Sequence, residues 1–288
     1  MSFLTDWLIK VLKQFFIDGI LWNLGGLFDS VNSQIGSIAS RVGATPAAFN
    51  PGVFSLIRNL SETVILPIAG TVLAFVATWE LIHLIIERNN LHEIDTWIFF
   101  KWCFKTMIAV LILANTFGIV MGIFDLSQHV INNSAGFVSG STAVTPDMLA
   151  QLEEQLWEME VGPLMGLWMQ SFVIQILVVV LNIIVFVIVY GRMVEIYLLT
   201  SLAPLPMATL TNRETSSVGQ NYLKSLLAVA FQGFLMLVCV AIYAVLVQGI
   251  AVSGNPIGSI WGLIGYTVLL CFTLFKTGSV AKSIFNAA

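Results

Sequence analysis

Charge is what this chain has least of. Lys, Arg, Asp and Glu make up 10% of its 288 residues and hydrophobic residues 58%. An ordinary soluble domain carries about 25% charged residues, so with a mean hydropathy of +0.92 a soluble fold is excluded. Basic residues are missing over long stretches: none stands between Thr106 and Gly191, and none between Ser225 and Phe275. No cluster of Lys and Arg is dense enough to grip a nucleic-acid backbone. Cysteine is also scarce. Cys103, Cys239 and Cys271 lie in or beside apolar runs, outside any C-x-x-C, and read as buried thiols used as small apolar side chains. The histidines, His83, His92 and His129, are scattered, and neither H-E-x-x-H nor a phosphate loop is present. The expectation is a non-enzyme with no catalytic residues, no cofactor and no metal. The opening MSFLTDWLIKVLKQFF lacks a basic start, and Asp6, Lys10 and Lys13 interrupt its apolar residues, so it does not read as a good signal peptide.

What is present is apolar length. Several charge-free runs match or exceed the roughly 20 helical residues that cross a hydrocarbon core. Unpaired backbone groups find no water there, which favours helices. The apolar residues are continuous rather than alternating, against a barrel. The pattern predicts an all-α polytopic membrane protein with about five transmembrane helices, near residues 60–86, 97–124, 166–191, 222–250 and 256–277. Residues 3–24 precede them as an amphipathic helix. Asp6, Lys10, Lys13, Gln14 and Asp18 recur at helical spacing, which suits a helix in the membrane interface or one packed on protein. The Ser-, Gly- and Pro-rich residues 29–52 read as a loop. The resulting divisions are 1–58 (amphipathic helix and external loop), 59–124 (two spans), 125–165 (external acidic segment) and 166–288 (three spans with a cytoplasmic segment 192–221).

The remaining polar residues mark edges. Glu80, His83 and Glu87 share a helix face. Such a trio can hold a metal, but at the end of a span it reads more simply as a helix emerging into water. Lys101 and Lys105, beside Trp97, Phe99, Phe100, Trp102 and Phe104, are snorkelling lysines with interfacial aromatics. Thr145 and Pro146 start an acidic helix carrying Asp147, Glu153, Glu154, Glu158 and Glu160, and Gly162-Pro163 ends it. The positive-inside rule puts the two gaps in basic residues outside. Arg88, Lys101, Lys105, Arg192, Arg213, Lys224, Lys276 and Lys282 then fall inside, with the N-terminal region outside and the C-terminus cytoplasmic.

The stretch YGRMVEIYLLTSLAPLPMATLTNRE, residues 190–214, follows 31 charge-free residues, Val161–Gly191. Arg192 and Glu195 are three apart and can pair on one face. Pro204 and Pro206 each remove a backbone donor. Too few apolar residues separate Glu195 from Pro204 for a crossing, so a proline-bent interfacial segment on the cytoplasmic side is expected. An Arg and a Glu three apart, an apolar stretch and LAPLPMATL after a long span resemble the signature region of TrbL-like conjugal transfer proteins. Those are polytopic inner-membrane subunits of type IV secretion systems. The ending LFKTGSVAKSIFN is similar to versions carried by integrative and conjugative elements of Gram-positive bacteria. The chain differs from many members in lacking a long polar C-terminal tail, so roles tied to such tails are not carried over.

The resemblance implies a structural channel subunit in the bacterial cytoplasmic membrane, helping pass DNA or protein. It implies a ring-shaped homo-oligomer with other secretion-system subunits and membrane lipids as partners, and nucleic acid only as cargo. Assembly candidates are Arg192, Glu195, Pro204 and Pro206, with the small-residue pairs Gly118/Gly122, Gly162/Gly166 and Gly258/Gly262. The alternative is a secondary transporter of a small solute. Against it, Pro67 and Pro204/Pro206 do not occupy matching positions in two halves.

Overall fold

The computed structural model describes residues 2–86, 96–141, 146–251 and 256–287. Among the described residues every regular element is a helix. In order they are α1 (Ser2–Val42), α2 (Pro46–Phe49), α3 (Pro51–Leu60), a π turn (Ser61–Ile65), α4 (Leu66–Ile86), α5 (Thr96–Ala114), α6 (Thr116–Ser141), α7 (Pro146–Glu158), α8 (Val161–Leu202), α9 (Pro204–Met207), α10 (Ser216–Ala251) and α11 (Pro256–Ile284). Five helical stretches are long and apolar enough to cross a membrane: Pro51–Ile86, Thr96–Ala114, Val161–Leu202, Ser216–Val247 and Ile264–Ile284. The chain is an all-α polytopic membrane protein.

Several boundaries differ from the sequence expectation, each for a local reason. The presumed loop over 29–52 is helical as far as Val42. Its Ser and Gly residues disfavour an isolated helix, but packing overrides propensity. Ser30 Oγ donates to Asn182 Oδ1 at 3.2 Å. Beyond Val42 the Thr-Pro and Asn-Pro pairs start helices. Thr45 Oγ1 accepts from Ala48 N at 2.9 Å and Asn50 Oδ1 from Val53 N at 3.1 Å, with Pro46 and Pro51 opening α2 and α3. The second span, expected over 97–124, is interrupted at Asn115. There the Thr116 hydroxyl takes the Ile112 carbonyl at 3.0 Å, the competition that bends helices at Thr. What reads as the start of an external loop continues as α6 to Ser141.

Gly162-Pro163 does not end the acidic helix. That helix, α7, stops at Glu158, and the pair sits in the first turn of α8, where Pro is tolerated. The Thr145 cap, Glu87, Arg88 and His92 lie outside the described residues. The largest change is α8 itself. It does not stop at Gly191 but runs 42 residues, about 63 Å at 1.5 Å per residue, through Arg192 and Glu195. The bend comes only at Ala203.

The segments group into two compact units: Met1–Gly43 with Ile131–Tyr190 and Phe234–Thr277, and Ala44–Val130 with Gly191–Gly233 and Gly278–Ala288. In the first, α1 packs on α8. Ile17, Ile20 and Leu24 are buried there, and Phe16 meets the Trp168 ring at 5.6 Å. Gly19 makes this possible, since a Cβ at that position would fall 2.6 Å from Trp168 Cδ1. The second unit holds one apolar cluster of Val120, Phe124, Met193, Ile196, Tyr197, Leu226 and Val229. A separate cluster joins Ala69 and Leu73 of α4, Ala109 and Leu113 of α5, and Ala208.

The π turn has a covalent cause. Pro67 has no N–H for the carbonyl four residues before it, and its ring crowds that carbonyl. The chain relieves this with a wider turn, in which the Leu66 N–H reaches back five residues to Ser61 O.

Candidate functional site

The proline bend is the best defined polar construction in the second unit. Pro204 cannot donate to the Thr200 carbonyl, and Pro206 cannot donate to that of Leu202. The end of α8 therefore carries carbonyls in need of partners. Ala203 N–H turns back three residues to Thr200 O at 3.3 Å. The buried Ser61 hydroxyl, from the π turn, lies 3.5 Å from the same oxygen. The Leu199 carbonyl is left to the Tyr222 hydroxyl of α10, at 3.0 Å. Two breaks in helical bonding, at Pro67 and at Pro204, thus meet through Ser61 and Thr200.

The bend then docks on the α4–α5 hairpin. Pro204, Met207 and Ala208 are buried, with Ala208 and Leu205 in the Ala69–Leu73–Ala109–Leu113 cluster. Past α9 the backbone closes on itself. Thr209 N and Oγ1 both donate to Pro206 O, at 3.2 and 2.8 Å. The same oxygen faces Gly219 in the first turn of α10, where a Cβ would fall 2.7 Å from it. Glycine is required here for close approach, not for its φ. Asn212 anchors the next turn. Its Oδ1 accepts from Glu214 N at 2.8 Å and Thr215 N at 3.4 Å, while its Nδ2 donates to Val76 O at 3.4 Å.

Arg192 and Glu195, whose spacing allows them to pair on one face, take separate partners. Arg192 is 5% exposed. Its Nε donates to Val229 O and its terminal nitrogen to Ala230 O, both at 3.0 Å. A planar guanidinium holds its donors in a rigid fork and so serves two carbonyls on one helix in a fixed geometry. This explains why α8 runs straight through Arg192: its charge is satisfied without leaving the helix. Glu195 meets Lys282 Nζ of α11 at 3.3 Å. Both groups are partly exposed, so the pair contributes little to stability. A third tie runs from the Tyr197 hydroxyl to Pro46 O at 2.7 Å. Together these bonds fasten the end of α8 to α2, α10 and α11.

Polar residues at the far end of α4 form a second group. Lys105 pairs with Glu80 across the hairpin, and Trp102 Nε1 donates to Ala77 O at 3.0 Å. Trp79 Nε1 donates to Glu214 Oε2 at 3.2 Å, and His83 Nε2 lies 3.8 Å from Glu214 Oε1. A cleft of about 110 Å³ lies among Trp79, Glu80, His83, Asn212, Arg213 and Glu214. Among the described residues no cluster of His, Cys, Asp and Glu is arranged to hold a metal.

The small-residue pairs Gly118/Gly122 and Gly162/Gly166 face open space within this chain. A Cβ on Gly118, Gly122, Gly162 or Gly166 would meet nothing within 4 Å, so these glycines bring no helices of this chain together. Gly258 and Gly262 lie in the first two turns of α11. Ser61, Tyr197, Gly219 and Tyr222 escaped sequence reasoning. The detectable signals were weak: a hydroxyl or phenol in an otherwise apolar helix, and a glycine shortly after two prolines.

No curated protein and no solved structure matches the chain. A family model, described as TrbL/VirB6 plasmid conjugal transfer like protein, matches residues 31–204. The match covers more than half of the chain and runs from α1, through the π turn and Arg192, to Pro204 at the bend. This multi-pass membrane protein therefore belongs to the TrbL/VirB6 plasmid conjugal transfer-like family, whose members are subunits of conjugal transfer (type IV secretion) machinery.

Proposed function

We propose that the chain is a structural subunit of the membrane channel of a conjugation machine, assembling as a ring-shaped homo-oligomer that helps pass DNA or protein across the cytoplasmic membrane. The observation that carries this reading is the family match over residues 31–204. Two features agree with it. Gly118 and Gly122 leave a stretch of α6 open to close approach by another helix. Large apolar side chains such as Phe75, Ile176 and Ile183 stand exposed on the spans, as lipid or neighbouring subunits require. The chain contributes position and packing, not catalysis, and nucleic acid passes as cargo without a dedicated basic grip. Other secretion-system subunits and membrane lipids are its partners. Basic-residue bias orients it with the N-terminal region outside and the C-terminus cytoplasmic. The test is the mass of the particle purified in lipid, with an image of its symmetry. A closed ring of several copies is expected, and a strictly monomeric particle would overturn the reading.

A further inference from the structure

We propose that α1 lines a water-filled path through the membrane, with the Asp29 carboxylate facing that water at the depth of the most apolar part of α8. The inference rests on the membrane-channel reading above and extends it to a particular helix face.

The contacts between α1 and the segment 157–190 rise together along both sequences. Lys13 Nζ donates to Trp157 O at 3.2 Å. Phe16 meets Trp168. Asn23 Nδ2 donates to Ser171 Oγ at 2.6 Å, and Gln175 Nε2 donates to Asn23 Oδ1 at 3.0 Å. Ser30 bonds Asn182 at 3.2 Å, and the Arg41 guanidinium lies 5.8 Å from the Tyr190 ring centre. The two helices run side by side in the same direction. Whatever depth α8 takes in the membrane, α1 takes too, so it does not lie flat in the interface.

Between Phe172 and Val189 the only polar side chains of α8 are Gln175 and Asn182, and both are engaged by α1. The opposing stretch of α1, residues 23–41, has the contrary composition. Twelve of its nineteen residues are Gly, Ser, Asn, Gln, Asp or Arg. Gly26, Asp29, Ser33 and Ser40 are exposed. At spacings of three, four and seven they share one helix face. Asp29 adjoins Ser30, near the middle of the apolar stretch of α8. A carboxylate there is not tolerated against lipid chains and marks a protein-lined or water-filled surface. A second copy of this chain is poorly suited to cover it. No Lys or Arg occurs between Thr106 and Gly191 or between Ser225 and Phe275, so those spans offer no cation to pair with it. Water remains.

The test uses the full-length protein in lipid vesicles, with Cys103, Cys239 and Cys271 replaced by Ala. Single cysteines are placed by Asp29→Cys and Ser33→Cys. Val179→Cys and Ile183→Cys, at exposed apolar positions of α8, are the lipid-facing controls. The probe is a charged, membrane-impermeant methanethiosulfonate. At least tenfold faster modification at both α1 positions than at the controls is expected. Silent α1 positions beside silent controls overturn the inference and leave the membrane reading standing. Disulfide cross-linking between copies at position 29, without probe modification, overturns it in favour of a helix–helix interface. Rapid modification of the controls removes α8 from lipid at that depth and overturns both readings.

Discussion

Replacing Gly219 by Ala tests whether the first turn of α10 is wedged against the proline bend. A Cβ at this position would lie 2.7 Å from Pro206 O and 2.6 Å from Leu210 Cγ, where ordinary contact begins at 3.4 Å. Leu210 can rotate away. The Pro206 carbonyl cannot, because Thr209 holds it through both N–H and hydroxyl. Relief therefore needs about 3.4 − 2.7 = 0.7 Å of separation between α10 and the bend. Overpacking of this kind costs roughly 1–3 kcal/mol. Helix propensity acts the other way, since Ala is favoured over Gly inside a helix by roughly 0.5–1 kcal/mol. Packing wins, for a net loss of about 1 kcal/mol. Gly70→Ala, in α4, is the control. Nothing lies within 4 Å of its added Cβ, so only the propensity gain remains. Thermal unfolding of the detergent-solubilised protein, followed by tryptophan fluorescence, should place Gly219→Ala below the parent and Gly70→Ala at or above it. Equal stabilisation by both substitutions would refute the wedge.

Two further outcomes follow from the same bend. Tyr222→Phe removes the hydroxyl that serves Leu199 O and should lower stability by about 1 kcal/mol in the same unfolding assay, the range for a carbonyl left without its partner. Replacing Pro204 and Pro206 together by Ala restores the missing donors, lets α8 continue past Leu202 and withdraws Ala208 from the α4–α5 cluster. Conjugal transfer should fall while membrane insertion, read by fractionation, is unchanged, and full transfer by the double variant would rule out a role for the bend.

The class of fold was legible because the bilayer imposes one rule, long charge-free runs, and this chain obeys it over Val161–Gly191 and Ser225–Phe275. The bend was legible for a covalent reason, since no helix continues through Pro204 and Pro206 unaltered. What sequence reasoning lost were helices held by partners rather than by propensity. Ser30 and Asn23 reach α8, and the Gly- and Ser-rich residues around them stay helical. Arg192 finds two carbonyls on α10, so a charge that looked like the end of a helix lies inside one. The spacing of Arg192 and Glu195 allows a pair, but spacing states who can meet on one helix and not who offers a better partner on another.

The π turn at Ser61–Ile65 carries a consequence for phase. It holds one residue more than the regular helix needs, as a single inserted codon would supply. At about 100° per residue, an uninterrupted helix would set Ser61 and Leu73 roughly 120° apart. Discounting one residue brings Ser61, Ala69, Leu73 and Val76, all buried, within about 60° of one another. One surplus position thus lets a single helix face both cap the end of α8 and receive the proline bend. Deleting one residue between Ser61 and Ile65 would leave composition and hydropathy almost untouched, yet turn half of the receiving surface away.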